Sequence, residues 1–168
     1  PNDTPSILTL LRTTAMPYGL IVGNDSVIAQ WAFTQFNVYP TPFNRALGIV
    51  DKDQNVVGAI LLQNFNGMNV EVSYYGPRTL SLGIIRAIAR VIIAQFDASR
   101  VTVVTSKRNR RLMQSLSRFG FSLEGTQRCY YGHEDNRKNT GVRFVMFRDK
   151  INKIAAGRTG SAPLTKQG

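Results

Sequence analysis

Between Arg100 and Gly125 the chain reads RVTVVTSKRNRRLMQSLSRFGFSLEG, and five cations crowd it: Lys107, Arg108, Arg110, Arg111 and Arg118. Cations at this density bind the phosphates of a nucleic acid, bind those of a phosphorylated cofactor, or keep a surface hydrated. The other reactive side chains stand alone. Cys129, the one cysteine, lies in an apolar run and reads as a small buried hydrophobe inside a strand rather than as an acyl-carrying nucleophile. His133, the one histidine, borders a polar loop and reads as a surface residue. No His, Cys and carboxylate cluster has metal-site spacing, so no metal is expected.

The charge is unevenly placed. Of 21 basic and 10 acidic residues, positions 1–99 hold six of each, and positions 100–168 hold fifteen basic against four acidic, which accounts for the net +11. That asymmetry points to a polyanionic partner or ligand for the second half of the chain. With 43% apolar and 18% charged residues over 168 positions, the composition is that of one globular domain. A lone cysteine excludes an internal disulfide framework and fits a reducing compartment. The opening PNDTPS has no basic stretch leading into an apolar core, and Leu80–Phe96 is interrupted by Arg86 and Arg90. A soluble, cytoplasmic protein with no membrane partner is expected.

The elements that must position these residues are clearest in the middle of the chain. Ala46–Val50 and Val56–Phe65 are apolar strands around a turn-rich Asp51–Asn55, and Met68–Tyr75 alternates as a return strand after Asn66-Gly67, the pair suited to a two-residue hairpin turn. This antiparallel meander stops at Gly76-Pro77. Leu80–Phe96 is apolar around most of its circumference and reads as a helix buried against a sheet. Arg100–Thr105 is a β-branched strand, so strand, helix and strand form a crossover with a parallel pair. Asn109–Phe119 is a helix closed by Gly120. Thr126–Gly132 and Val142–Arg148 read as two further strands around the loop His133–Gly141. Before the meander, Asn24-Asp25-Ser26 caps a helix reaching about Phe36, and Ile7–Arg12 fits either strand or helix. From Ala155 the sequence is small and polar, so residues 1–154 are expected to form the domain and 155–168 a flexible tail.

This order resembles the GNAT acetyltransferase superfamily, and the residues carry the likeness from Glu71 onward. VEVSYYGPRTLSLGIIRAIARVII is similar to the family's fourth strand and cofactor turn–helix. Asn109, Gly120-Phe121, Glu124-Gly125 and Arg128 stand at the spacing of its next segment, in the pattern of the branch that acetylates protein N-termini and small amines. The match covers roughly residues 46–148. It implies an α/β (α+β) GNAT fold: a mixed, mostly antiparallel central sheet with one β-α-β crossover and flanking helices.

The resemblance also implies chemistry. Arg78, Thr79, Leu80, Ser81, Leu82 and Gly83 correspond to the family's pyrophosphate loop, with Ser81 in place of its first glycine; a helix N-terminus suits an anion through its unpaired N–H groups and its dipole. Val72, Ser73 and Tyr74 would supply strand backbone beside the acetyl thioester, and Asn109 would face the pantetheine arm of acetyl-CoA, the implied co-substrate. Glu71 is the candidate base for the amine acceptor. The family's usual acid positions hold Leu112 and Leu116, and Tyr130, Tyr131, Ser115 and Ser117 are the residues that could stand in as the acid. The expected activity is therefore transfer of acetyl from acetyl-CoA to an amine on a protein, small molecule or nucleic acid. The cationic surplus, more than one cofactor needs, suits a nucleic acid or another polyanion. The alternative is a catalytically quiet GNAT-fold structural or nucleic-acid-binding protein, for example a component of a phage virion.

Overall fold

A computed structural model of the chain describes residues 9–11, 18–76 and 80–158. In chain order the elements are β1 (Thr9–Leu11), β2 (Gly19–Val22), α1 (Asp25–Gln35), β3 (Arg45–Val50), β4 (Val56–Gln63), β5 (Asn69–Tyr75), α2 (Leu82–Phe96), β6 (Arg100–Ser106), α3 (Arg110–Arg118), β7 (Ser122–Gln127), β8 (Gly141–Phe147) and α4 (Arg148–Ala155). One eight-stranded sheet runs β1-β2-β3-β4-β5-β6-β8-β7. Its neighbours are antiparallel except β5 and β6, the parallel pair made by the α2 crossover.

The alternation of each strand sorts its side chains onto two helical layers. Leu47, Ile49, Ile60, Leu62 and Val70 face α2 and α4, and Ala46, Ala59 and Leu61 face α1. Both faces are covered, so β3 and β4 read as nearly continuous apolar runs. In α2, Ile84, Ala87, Ile88, Val91 and Ile92 fall at i, i+3, i+4, i+7 and i+8 and are all buried. Each isoleucine there contributes about 1.5–3 kcal/mol on leaving water. The helix starts at Leu82 because the Ser81 side chain caps it, accepting from the Ile84 N–H at 3.3 Å. It stops where Asp97 turns left-handed at φ 48°.

Three sequence expectations are revised by tertiary context, and one left open is decided. Asn66-Gly67 does not make a two-residue turn. Positive φ falls on Asn64 and Gly67, and Asn66 Oδ1 accepts from the N–H groups of Met68 and Asn69 at 3.1 and 2.8 Å, an Asx turn inside a longer loop. The stretch Thr126–Gly132 is strand only to Gln127, whose rung with Gly141 is the last of that hairpin. From Arg128 the chain enters a loop held by its own side chains: Asn136 Oδ1 accepts from the Asn139 N–H at 3.0 Å, and Thr140 Oγ1 donates to the Asn136 carbonyl at 2.7 Å. Such local bonds compete with a ladder and here win. Cys129 is consequently an exposed turn residue at φ 55°, not a buried strand residue. Ile7–Arg12 contributes a three-residue strand, β1, at the sheet edge.

The chain also ends differently. Arg148 opens α4 instead of closing β8, and Ile151 and Ile154 pack into the α2 core. Arg90 Nε donates to the Ala155 carbonyl at 2.9 Å and Arg86 Nη2 to that of Gly157 at 3.4 Å, so residues 155–158 are held against α2. Residues 159–168 of the expected tail lie outside the described residues.

Candidate active site

The parallel pair is unusually short. β5 and β6 share three rungs, Asn69↔Arg100, Val70↔Val101 and Glu71↔Thr102, although β5 continues to Tyr75 and β6 to Ser106. Beyond Glu71 the two strands part. What faces the resulting gap follows from hydrogen-bond alternation. Lys107 N–H donates to the Thr140 carbonyl at 2.8 Å and Arg148 N–H to that of Ser99 at 2.9 Å, so odd-numbered residues of β6 bond to β8 and even-numbered ones turn toward β5. Arg100 N–H donates to the Met68 carbonyl at 3.1 Å, so even-numbered residues of β5 turn toward β6. The Val72 carbonyl, the Tyr74 peptide and the Val104 peptide are therefore directed into the gap.

Side chains sort the other way. Val72 and Tyr74 pack on the α2 layer, and Tyr75 packs with α1. Glu71, Ser73 and Tyr75 thus share the α1 face, with Glu71 half-buried at the last paired rung. The β7–β8 loop closes over this face. The Tyr130 hydroxyl lies near Glu71, whose charge acts on it. The Tyr131 hydroxyl donates to the Val104 carbonyl at 3.1 Å, inside the gap, and the two rings meet edge to face with centroids 4.7 Å apart. Gly141 makes room for this: a Cβ there would lie 2.9 Å from the Tyr130 ring. On the other side Tyr75 meets Phe36 at 5.6 Å, and Phe36 meets Trp31 at 6.0 Å. Below, Ser73 Oγ donates to Gln63 Oε1 at 2.7 Å, and Gln63 Nε2 to Thr41 Oγ1 at 2.7 Å.

Burial, more than any neighbour, raises the pKa of both loop tyrosines. Tyr130, Glu71 and Tyr75 raise Tyr131 further. Glu71 raises Tyr130, against a smaller lowering by Arg143. Burial likewise pushes Tyr74 up to about 12. At neutral pH these hydroxyls keep their protons and act as donors.

Two helices begin at the open end of the gap, because α2 follows the end of β5 and α3 the end of β6. Ser81 accepts from Ile84 and leaves its own O–H able to donate, while Leu82 and Gly83 carry first-turn N–H groups. Asn109 caps α3 in the same way, its Oδ1 accepting from the Leu112 N–H at 3.1 Å. Leu80 is half-buried against the α2 core. Arg78 and Thr79 lie outside the described residues. Lys107, Arg108, Arg110, Arg111 and Arg118 are all exposed, and none joins the four ion pairs among the described residues. Arg110, Met113, Gln114, Ser117 and Arg118 line a shallow groove on α3. Among the described residues no three His, Cys, Asp or Glu side chains could hold a metal ion, and no helix is long and apolar enough to cross a membrane.

No protein-family model and no curated protein matches the chain by sequence. Solved structures do match. A GCN5-related N-acetyltransferase from Brucella melitensis superposes with a TM-score of 0.63 over 89% of this chain and 83% of its own, at 14% identity. The ribosomal-protein-S5-alanine acetyltransferase from Vibrio fischeri gives 0.63 over 83% and 97%, at 13% identity. The fold is the GNAT fold. A spermidine N-acetyltransferase from Vibrio cholerae, solved in complex with CoA and spermine, gives 0.55 over 64% of this chain and 68% of its own, at 14% identity.

Within this GNAT fold the structure brings Glu71, Tyr130 and Tyr131 together and sets Val72–Tyr74 along the gap beside them. Sequence reasoning missed Tyr75, Phe36, Trp31, Arg143 and Val104. Tyr75 had a signal, since Glu71, Ser73 and Tyr75 alternate on one strand face. Trp31 belongs to α1 and Phe36 caps its C-terminus, and their distance from Glu71 in the chain hides their approach.

Proposed function

We propose that this chain is an acetyl-CoA-dependent N-acetyltransferase acting on an amine acceptor. The observation that carries the reading is the parting of β5 and β6 after the Glu71–Thr102 rung, with strand peptides directed into the gap and two helices starting at its mouth. The residues present fit the co-substrate. The first turn of α2, with Ser81 and the N–H groups of Leu82 and Gly83, suits the pyrophosphate, assisted by Arg78 and Thr79, with Leu80 anchoring the turn. The β5 backbone from Val72 through Ser73 to Tyr74 suits an extended amide-bearing arm, and Asn109 lies across the gap from it. Bound acetyl-CoA supplies an acetyl group activated as a thioester.

On the protein's side, Glu71 takes the proton from the acceptor ammonium, directly or through one water, so that a neutral amine attacks. The C–N bond forms as the C–S bond breaks. A strand N–H steadies the negative charge on the acetyl oxygen. In this reading Tyr130 and Tyr131, kept protonated by burial, are the candidate donors to the departing thiolate.

Calorimetric titration with acetyl-CoA, at low and physiological salt, tests the reading. Saturable binding that Ser81→Trp removes supports it, as does thiol release with an amine that Glu71→Gln slows by roughly 10²–10⁴-fold. A folded sample that binds no acetyl-CoA at either salt overturns it.

A further inference from the structure

The α1 face of the gap has a charge pattern of its own. Of the nine acids among the described residues, Asp25, Asp97, Glu124 and Asp135 are paired with Arg45, Arg148, Arg100 and Arg128. Glu71 is in no ion pair among the described residues, like the exposed acids Asp53, Glu134 and Asp149, but it is half-buried and its neighbours are tyrosines. Around it stand Tyr75, Tyr130 and Tyr131, with Phe36 extending the wall from Tyr75. A half-buried carboxylate beside tyrosine hydroxyls attracts a cation through its charge, and the hydroxyl oxygens can accept from an ammonium.

The rim has the opposite sign. Tyr131 N–H donates to the Asn139 carbonyl at 3.0 Å, Ser106 Oγ donates to the Lys138 carbonyl at 2.8 Å, and Lys107 N–H donates to the Thr140 carbonyl at 2.8 Å. The loop and the β6–α3 turn are therefore stitched together beside Tyr131, and their exposed cations Lys107, Arg108, Arg137 and Lys138 outnumber the exposed acids Glu134 and Asp135, the latter paired with Arg128. Arg143 stands next to Tyr130 on the same sheet face. These cations belong to the same loop and turn that hold Tyr130 and Tyr131 beside Glu71.

We propose that this cleft is the acceptor subsite, and that it takes one primary ammonium carried on an anionic body while rejecting polycations. The ammonium meets Glu71 beside the tyrosine hydroxyls, and carboxylates or phosphates of the carrier meet Lys107, Arg108, Arg137 and Lys138. A polyamine gains the first contact and meets repulsion at the second. The substrate class rests on the acetyl-transfer reading above; the binding preference does not.

Binding is therefore measured by calorimetry without acetyl-CoA, using the peptides Ala-Glu-Glu and Ala-Lys-Lys, which share one N-terminal ammonium, together with O-phosphoethanolamine and spermidine. Ala-Glu-Glu is expected to bind about tenfold or more tighter than Ala-Lys-Lys or spermidine at low salt, with the gap shrinking at high salt as the rim is screened. O-phosphoethanolamine distinguishes a phosphate carrier from a carboxylate one. Glu71→Gln weakens Ala-Glu-Glu by about tenfold, and the exposed double variant Lys107→Glu with Lys138→Glu narrows or reverses the peptide preference. Spermidine or Ala-Lys-Lys binding as tightly as Ala-Glu-Glu overturns the proposal, as does indifference to Glu71→Gln or no binding of any probe. If Ala-Glu-Glu binds with this preference while acetyl-CoA does not bind, the subsite stands and the acetyl-transfer reading falls. If acetyl-CoA binds and the preference is absent, the reverse holds.

Discussion

Gly76 follows the last residue of β5 at the point where the chain leaves the sheet. Its φ is +155°, and a Cβ there would lie 2.8 Å from the Gly58 Cα on β4, with the Tyr74 ring 3.1–3.2 Å away. The contact is with backbone, so β4 and β5 must separate to admit it. Gly76→Ala combines two costs: the disfavoured φ, roughly 1–2 kcal/mol, and overpacking, roughly 1–3 kcal/mol. Their sum is about 3 kcal/mol. At roughly 2–4 °C per kcal/mol for a chain of this size, the melting temperature falls by about 6–12 °C. Gly67→Ala is the control. Its φ is +90°, but nothing lies within 4 Å of the added Cβ, so the backbone cost stands alone at about 1 kcal/mol, or roughly 2–4 °C. Calorimetric melts of the two variants beside the parent protein measure both shifts. Equal small shifts for the two glycines would refute the close approach of β4 and β5 that the argument uses.

Further outcomes follow from the same contacts. Ser81→Ala and Asn109→Ala each remove a helix cap and should cost about 1 kcal/mol in urea denaturation, with Ser81→Gly milder; Ser81→Ala should also weaken acetyl-CoA, which capping alone does not require. Tyr74, Tyr75, Tyr130 and Tyr131 should ionise above the free-tyrosine value of 10.0 in absorbance titration. The sign for stability is set by the unfolded chain, which loses these protons first: stability is retained below pH 10 and declines as pH rises from there through the higher folded values. Tyr131→Phe removes the hydroxyl from the Val104 carbonyl, and amide exchange should become faster in the β7–β8 loop while β3 and β4 stay protected.

Local pattern determined much of this protein. The meander from Arg45 to Tyr75, the buried helix α2 and the crossover to β6 were legible because each covers a buried sheet face or packs on one, so apolar period and turn residues agree. Glu71, Ser81 and Asn109 were candidates because the segments that carry them resemble those of the GNAT family. The failures have a shared cause. Thr126–Gly132 has strand-like composition, but β8 offers a partner only as far as Gly141, and side chains from Asn136 to Thr140 take over the backbone. Cys129 was misplaced with it. Asn66 used its side chain, not its backbone, to make the turn. Only the tertiary structure decided that β5 and β6 part after three rungs, the last at Glu71, because pairing length depends on the twist and packing of both strands. It alone brought Tyr130 and Tyr131 from a loop, Phe36 from the end of α1 and Glu71 from β5 together, since that proximity is made by sheet order and not by distance along the chain.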